Sequence, residues 1–360
     1  MTEVDIILPR KNFEVVIQES FSDGITGIFG PSGSGKTSLM QSISGLATPK
    51  KGCITINDRK VFDADSGINL PVEKRNIGYV FQEGRLFPHM TVEKNLKYGI
   101  KKNKSNKVSF DEVVKMLDLG HLLNSKPMQI SGGERQRTAL GRSLLSSPDI
   151  LLLDEPFSAV DAGLRLKIIP FILRIHQKTN IPILVVSHDL PDLLKLTNTL
   201  FIIREGKCVG HGNYYDLLKN KSLSGIFTRA GLINAIDMKV ATSDPDSGLT
   251  VLVHPVNEHS VQVKCEKSRV AYQEGEEMKI FLCAHDIALS AKKLKDITIQ
   301  NQIEGVVTDI IERGSALICI VDVGFNLVVE ITANSRKRLH LEKGSKVWCL
   351  FKSVAIDVAG

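Results

Sequence analysis

The 360-residue sequence lacks any stretch approaching the ~20 consecutive apolar residues with which a helix crosses a bilayer. Its opening, Met1-Thr2-Glu3-Val4-Asp5, has two acids, no basic segment and no long apolar core, so no secretory signal is expected. Six cysteines, Cys53, Cys208, Cys265, Cys283, Cys319 and Cys349, are widely scattered, and none forms a Cys-x-x-Cys pair. Most lie in apolar, strand-like runs. This argues against a disulfide framework or a structural zinc site and predicts reduced, buried thiols in a cytosolic protein. Concentrated positive charge is scarce too. Net charge is +6, and Lys101-Lys102-Asn103-Lys104-Ser105-Asn106-Lys107 is the one dense basic run. No aromatic interrupts it, so it reads as a solvated loop and no nucleic-acid partner is expected.

What is present is an ordinary globular composition, 42% apolar. The length exceeds one small core, and at roughly 150 residues per domain two domains are expected. Gly30-Pro31-Ser32-Gly33-Ser34-Gly35-Lys36-Thr37 is a complete phosphate-binding loop. It follows the β-prone run Ile25–Phe29 and precedes Leu39, Met40, Ile43 and Leu46 at helical spacing. In this strand–loop–helix context, glycines let backbone N–H groups converge on phosphate at a helix N-terminus. Lys36 is expected on the β- and γ-phosphates, and the Thr37 hydroxyl on Mg²⁺. Further on, Ile150-Leu151-Leu152-Leu153 reads as a strand buried on both faces, ending in Asp154-Glu155-Pro156. Carboxylates at that end of a parallel sheet lie where such folds bind ligands. Asp154 fits a Mg²⁺ ligand, directly or through water, and Glu155 fits the base that polarises attacking water.

Ile130-Ser131-Gly132-Gly133-Glu134-Arg135-Gln136 is a second glycine-rich loop opening a helix, here expected from Glu134 to about Leu145. With the preceding elements, it resembles the signature sequence of the ATP-binding cassette (ABC) family, with Ile130 for the usual Leu and Glu134 for the usual Gln. The resemblance implies an α/β P-loop NTPase with a helical subdomain. It also implies that Ser131, Gly132, Gly133 and Glu134 serve the nucleotide of a second copy. Two ATP molecules would be sandwiched in a head-to-tail homodimer. Three further stretches resemble the family's elements. Gly78-Tyr79-Val80-Phe81-Gln82 resembles the Q-loop, with Gln82 toward Mg²⁺ or water. Ser158-Ala159-Val160-Asp161 resembles the D-loop, and Ser187-His188 the switch histidine on the γ-phosphate. The family stacks adenine on an aromatic near the chain start. Phe13 is the candidate, while Phe21 reads as core.

The cassette resemblance runs from about residue 3 to about 230. Leu200–Val209 reads as a closing hairpin with Glu205-Gly206 at the turn. From Met238 onward, short alternating runs are split by turn signals such as Pro245-Asp246-Ser247-Gly248 and Arg313-Gly314-Ser315, which predicts a small all-β, OB-like barrel. The division expected is 1–235 and 236–360. Gly275–Leu282 and Gly344–Phe351 share a Gly-x-x-apolar start, an echo compatible with two related halves. Residues 294–358 resemble the molybdate-binding domain attached to ATPase subunits of molybdate importers. On matching positions Thr298, Asn301, Ser335 and Lys352 are the oxyanion candidates. Thr298 replaces a frequent Ser, and Gln300 replaces a frequent Arg. Gln82–His89 followed by Val92–Leu96 also resembles molybdate-importer ATPases.

These resemblances imply the ATP-hydrolysing subunit of a molybdate or tungstate importer, peripheral on the cytoplasmic face of the inner membrane. Its partners would be permease subunits and, indirectly, a periplasmic oxyanion-binding protein. ATP and Mg²⁺ are the implied cofactors, with molybdate at the C-terminal domain. The alternatives are an importer ATPase for sulfate, a sugar or a polyamine, and a soluble non-transport cassette ATPase. The latter usually carries two cassettes or coiled-coil insertions, and this chain has neither.

Overall fold

The structure, a computed structural model, describes all residues except 12, 101–107, 159, 161, 224–225, 228–230, 245–247, 256–259, 265–271, 314–315 and 360. The basic run, Cys265, two D-loop positions and several predicted turns therefore lie outside the described residues. Contacts divide the chain into Met1–Leu217 and Leu218–Gly360.

The first unit is built on an 11-stranded sheet. Antiparallel β1 (Thr2–Pro9), β2 (Glu14–Phe21), β4 (Lys51–Ile56), β5 (Arg59–Asp63) and β6 (Ile68–Asn69) form one side. The other side holds β3 (Ile25–Phe29), β9 (Ile183–Val186), β8 (Ile150–Asp154) and β7 (Ile77–Val80), adjacent and parallel. Strands β3, β8 and β9 are buried along their whole length, which their unbroken apolar runs require. The antiparallel hairpin β10 (Thr199–Arg204) and β11 (Lys207–Asn213) joins the two sides, with Glu205 and Gly206 both at positive φ in its turn, as the hairpin reading expects. Helices α1 (Lys36–Ser44), α2 (Val92–Tyr98), α3 (Phe110–Met116), α4 (Gly132–Leu145), α5 (Ala162–Thr179) and α6 (Leu190–Leu196) complete this unit, and α7 (Tyr214–Lys219) follows. Among the described residues no helix is long and apolar enough to cross a membrane.

Because β3, β9, β8 and β7 run parallel, their carboxyl ends share one sheet edge. The phosphate loop, Ser187-His188, Asp154-Glu155 and Gln82 leave those four ends in turn. One topological fact thus gathers four motifs spread over more than a hundred residues.

The second unit is all β. Strands β12 (Ile233–Asp244), β13 (Leu249–Val253), β14 (Ser260–Lys264) and β15 (Glu277–Cys283) form a Greek key in which β15 returns to pair with β12. After the short β16 (Ala288–Ser290), β17 (Asn301–Arg313), β18 (Ala316–Asp322), β19 (Asn326–Thr332), helix α8 (Ala333–Arg338) and β20 (Lys346–Phe351) repeat the plan. The final strands are exchanged: β16 leaves the first half to pair with β20, and β21 (Ile356–Ala359) leaves the second to pair with β15. The two segments sharing the Gly-x-x-apolar start are β15 and β20, which hold equivalent places. Both sheets enclose one core that includes Ile280, Leu282, Val307, Val329 and Cys349.

Two asparagines clamp the halves together. Asn234, fully buried at the start of β12, donates from Nδ2 to the Leu282 and Val328 carbonyls at 3.2 and 2.9 Å. Its Oδ1 accepts from Val328 N at 2.6 Å. Asn301 makes the matching pair of bonds to Gln262 N and O at 2.7 and 2.9 Å. Asn234→Ala would strand a buried N–H and two carbonyls, at about 1–3 kcal/mol for each group left unpaired. We expect a loss of about 2–4 kcal/mol in the second unit's unfolding transition, read by urea denaturation. An unchanged transition would refute the clamp.

Candidate functional site: a phosphate loop facing two carboxylates

Gly35 caps the start of helix α1, at a φ of 109° that no ordinary L-residue adopts easily. A Cβ at Gly30 would sit 2.1 Å from the Ile203 carbonyl oxygen. The loop is therefore pressed against β10, and the hairpin turn fastens it, since Gly206 N donates to Ser34 O at 2.8 Å. Lys36 Nζ donates to the Gly30 and Pro31 carbonyls at 2.8 and 2.9 Å, across the mouth of the loop. Burial lowers its pKa, while Glu155 and Asp154 oppose that. Ser34 Oγ is buried without a hydrogen-bond partner. An orphaned hydroxyl inside a glycine loop suits a phosphate oxygen. Ser32 and Gly33 are exposed on the loop's outer turn.

The facing wall is acidic. Thr37 Oγ1 donates to Asp154 Oδ1 at 3.4 Å, and Tyr79 OH donates to Asp154 Oδ2 at 3.1 Å. A hydroxyl and a carboxylate meeting at a phosphate loop are hard oxygen donors of the type Mg²⁺ prefers. Burial raises the pKa of Asp154, partly offset by those two hydrogen bonds and by Lys36. Glu155 follows at φ 51°, in the left-handed region. Its N–H donates to Val186 O at 2.9 Å, and its carbonyl accepts from Gln136 Nε2 at 2.7 Å and Ser158 Oγ at 3.0 Å. This unfavourable backbone is held from three sides, which aims the carboxylate. His188 Nδ1 lies 2.8 Å from Glu155 Oε2. The imidazole is 70% exposed and the carboxylate 13%. Burial raises the pKa of Glu155, partly offset by His188.

Phe13 lines a cleft of about 340 Å³ with Gly33, Gly35, Lys36, Thr37 and Ser38. Phe21 is core, packed edge-on against Phe201 with ring centroids 5.3 Å apart. Gln82 is exposed in the turn after β7, and Tyr79 rather than Gln82 touches Asp154. The signature segment caps α4: Ser131 Oγ accepts from Glu134 N at 3.3 Å, and Glu134 Oε2 accepts from Ser131 N at 2.7 Å. The helix begins at Gly132, two residues before the expected start, because this reciprocal capping box orders the first turn. Ser131 and Gly132 are exposed, and Gly133 is half-buried.

Several supports were missed by sequence reasoning. Arg165 bonds Asp192 at 2.8 Å and donates to the Phe157 and Val160 carbonyls, fixing the segment after Glu155. Asn95, fully buried, takes Phe87 N on its Oδ1 and donates to the Phe87, Met90 and Thr91 carbonyls. It thereby shapes the loop after Gln82.

In the second unit Ser335 bonds Thr332 Oγ1 through its N–H and lines a groove of about 450 Å³ with His285, Thr332 and Arg338. Thr298, Asn301 and Lys352 are not among that groove's walls. Thr298 and Lys352 are exposed, and Asn301 has both amide atoms on the Gln262 backbone. Two described cysteines, Cys319 and Cys349, are buried; Cys53, Cys208 and Cys283 are half-buried, and all five are free thiols.

The parallel sheet, the phosphate loop on β3 and the carboxylate-tipped β8 define a P-loop nucleotide-hydrolase fold. Residues 17–158 match the ABC transporter family, and residues 297–358 match the TOBE domain. A molybdenum import ATP-binding protein, ModC, of Mesorhizobium japonicum is 36% identical over 99% of this chain and 96% of its own length. The protein of the same name from Rhodospirillum rubrum is 34% identical over 99% and 97%. Among solved structures, the dimeric post-hydrolysis state of the ATP-binding cassette MJ0796 bound to ADP and Pi matches 59% of this chain and 98% of its own. That match has 25% identity and a TM-score of 0.50. The chain belongs to the ABC transporter family.

Proposed function

We propose that the chain is the ATP-hydrolysing subunit of an importer for molybdate or tungstate. It would work as a homodimer on the cytoplasmic face of the inner membrane, beneath separate permease subunits. The observation that carries the proposal is the end-to-end match to proteins named for molybdenum import, second unit included. The gathering of Lys36, Thr37, Asp154, Glu155 and His188 at one sheet edge supports the ATPase part.

In this reading Lys36 and the loop N–H groups hold the phosphates, and Ser34 gives its free hydroxyl to a phosphate oxygen. Thr37 and Asp154 would hold Mg²⁺, which neutralises phosphate charge when bound. Glu155 takes a proton from water lined up for in-line attack, and His188 orients Glu155 and reaches toward the γ-phosphate. Ser131 through Glu134 serve the nucleotide of the second copy, and Phe13 is the adenine platform. Thr298, Ser335, Lys352 and Asn301 remain the oxyanion candidates of the second unit, with the Asn301 amide held by Gln262.

Hydrolysis that needs two copies has a kinetic signature. ATPase rate per chain should rise with protein concentration before levelling off, and a monomeric variant should be inactive. A rate per chain independent of dilution down to the monomer would remove the shared-site proposal.

A further inference from the structure

The turn that carries the first exchanged strand holds a thiol, an imidazole and a carboxylate together. Cys283, His285 and Asp286 place one ligand atom each within 4.8 Å of one another. His285 Nε2 lies 3.9 Å from Asp286 Oδ1. The turn is rigid. Ala284, between the ligands, is fully buried and donates from its N–H to Leu232 O at 2.8 Å, and Ile287 is buried behind it. Asp357 lies across the ladder. It pairs with Phe281, so by strand alternation it shares a face with Cys283, away from the core residues Ile280 and Leu282.

The fold itself does not demand these residues. The equivalent turn of the second half runs Lys352-Ser353-Val354-Ala355 and has the same backbone. Its entering and leaving residues, Lys352 and Ile356, have φ/ψ of −77°/147° and −97°/120°. Cys283 and Ile287 have −64°/138° and −98°/118°. Val354 stands where His285 stands, and Ala355 where Asp286 stands, so the turn is made equally well without a ligating side chain.

From this geometry we infer that Cys283, His285 and Asp286 form a binding site for a thiolate-preferring divalent cation of the Zn²⁺ type. Sulfur, nitrogen and oxygen donors select such a cation over Mg²⁺ or Ca²⁺. On binding, the thiol proton passes to solvent and a metal–sulfur bond forms, with no change in oxidation state. The ion ties β15 to the strap leading to β16, and so reinforces the strand exchange.

Cobalt(II) titration of the full-length, metal-free chain tests this directly. A thiolate-to-cobalt charge-transfer band should grow to one equivalent and be displaced by Zn²⁺. Cobalt at Thr37 and Asp154 produces no such band, since no sulfur is there. Cys283→Ser should abolish it. Altered ligand surroundings alone can cost 10–100-fold in metal affinity, so His285→Ala should weaken binding by at least about tenfold. Because His285 is exposed, that variant reports on the site even if Cys283→Ser folds poorly. Val354→Ala, in the equivalent turn, should leave the band unchanged. A chain that gives no band, or a band that survives in Cys283→Ser, overturns the site.

Discussion

Glu155→Gln is expected to cut ATP turnover by at least about 10²-fold, the scale of a positioned general base, while ATP still binds. The amide keeps the size of the carboxylate and can still contact His188 Nδ1, which lies 2.8 Å from Oε2 in the wild type. It cannot take a proton. The backbone that aims the side chain is held by Val186, Gln136 and Ser158, none of which the substitution touches. The variant should therefore accumulate as an ATP-bound dimer, measurable by light scattering and by retained nucleotide. The same residue sets a pH dependence. Its pKa is raised by burial, so the competent carboxylate is lost as pH falls through a value above the ordinary glutamate range. The acid limb of wild-type kcat should lie correspondingly high. Wild-type turnover in the glutamine variant would exclude Glu155 as the base.

Lys36→Ala should nearly abolish nucleotide binding. Each hydrogen bond to a charged group is worth about 1.5–3 kcal/mol, so losing an ammonium that reaches two phosphates should weaken affinity by roughly two orders of magnitude or more. A second loss is local. The ammonium now spans the loop mouth through the Gly30 and Pro31 carbonyls, and alanine removes that span. Calorimetry with ATP and Mg²⁺ measures the effect, and affinity within a few-fold of wild type would refute the phosphate role.

The parts of the site legible in the sequence are those whose chemistry depends on local spacing. Gly30 to Thr37 announces a phosphate loop because a turn and a helix start need those residue types in that order. Asp154-Glu155 could be placed at a strand end because four apolar residues precede it. Tyr79 was inside a quoted motif and still went unassigned, since its partner Asp154 is 75 residues away and only the pairing of β7 with β8 brings them close. Arg165, Asn95 and Gln136 were missed for a different reason: each acts on backbone carbonyls, which leave no trace in sequence. The start of α4 was legible too: Ser131 with Glu134 three residues later is a capping-box pattern, and the structure forms both of its bonds.

The second unit shows the opposite balance. Alternation and turn residues were enough to predict an all-β domain, and the repeated Gly-x-x-apolar start hinted at two halves. The exchange of β16 and β21 was hidden, because a three- or four-residue strand reads alike whichever sheet it joins. Asn301 carries a structural bond that its residue type alone did not announce. At the start of β17, its amide does for Gln262 what Asn234 does for Val328.

The most direct test of the account is uptake of radiolabelled molybdate by cells lacking this chain, restored with wild type or with Glu155→Gln. Uptake should collapse without the chain and recover with wild type alone. Unchanged molybdate uptake, with transport of sulfate or another solute falling instead, would leave the cassette in place and contradict the molybdate assignment.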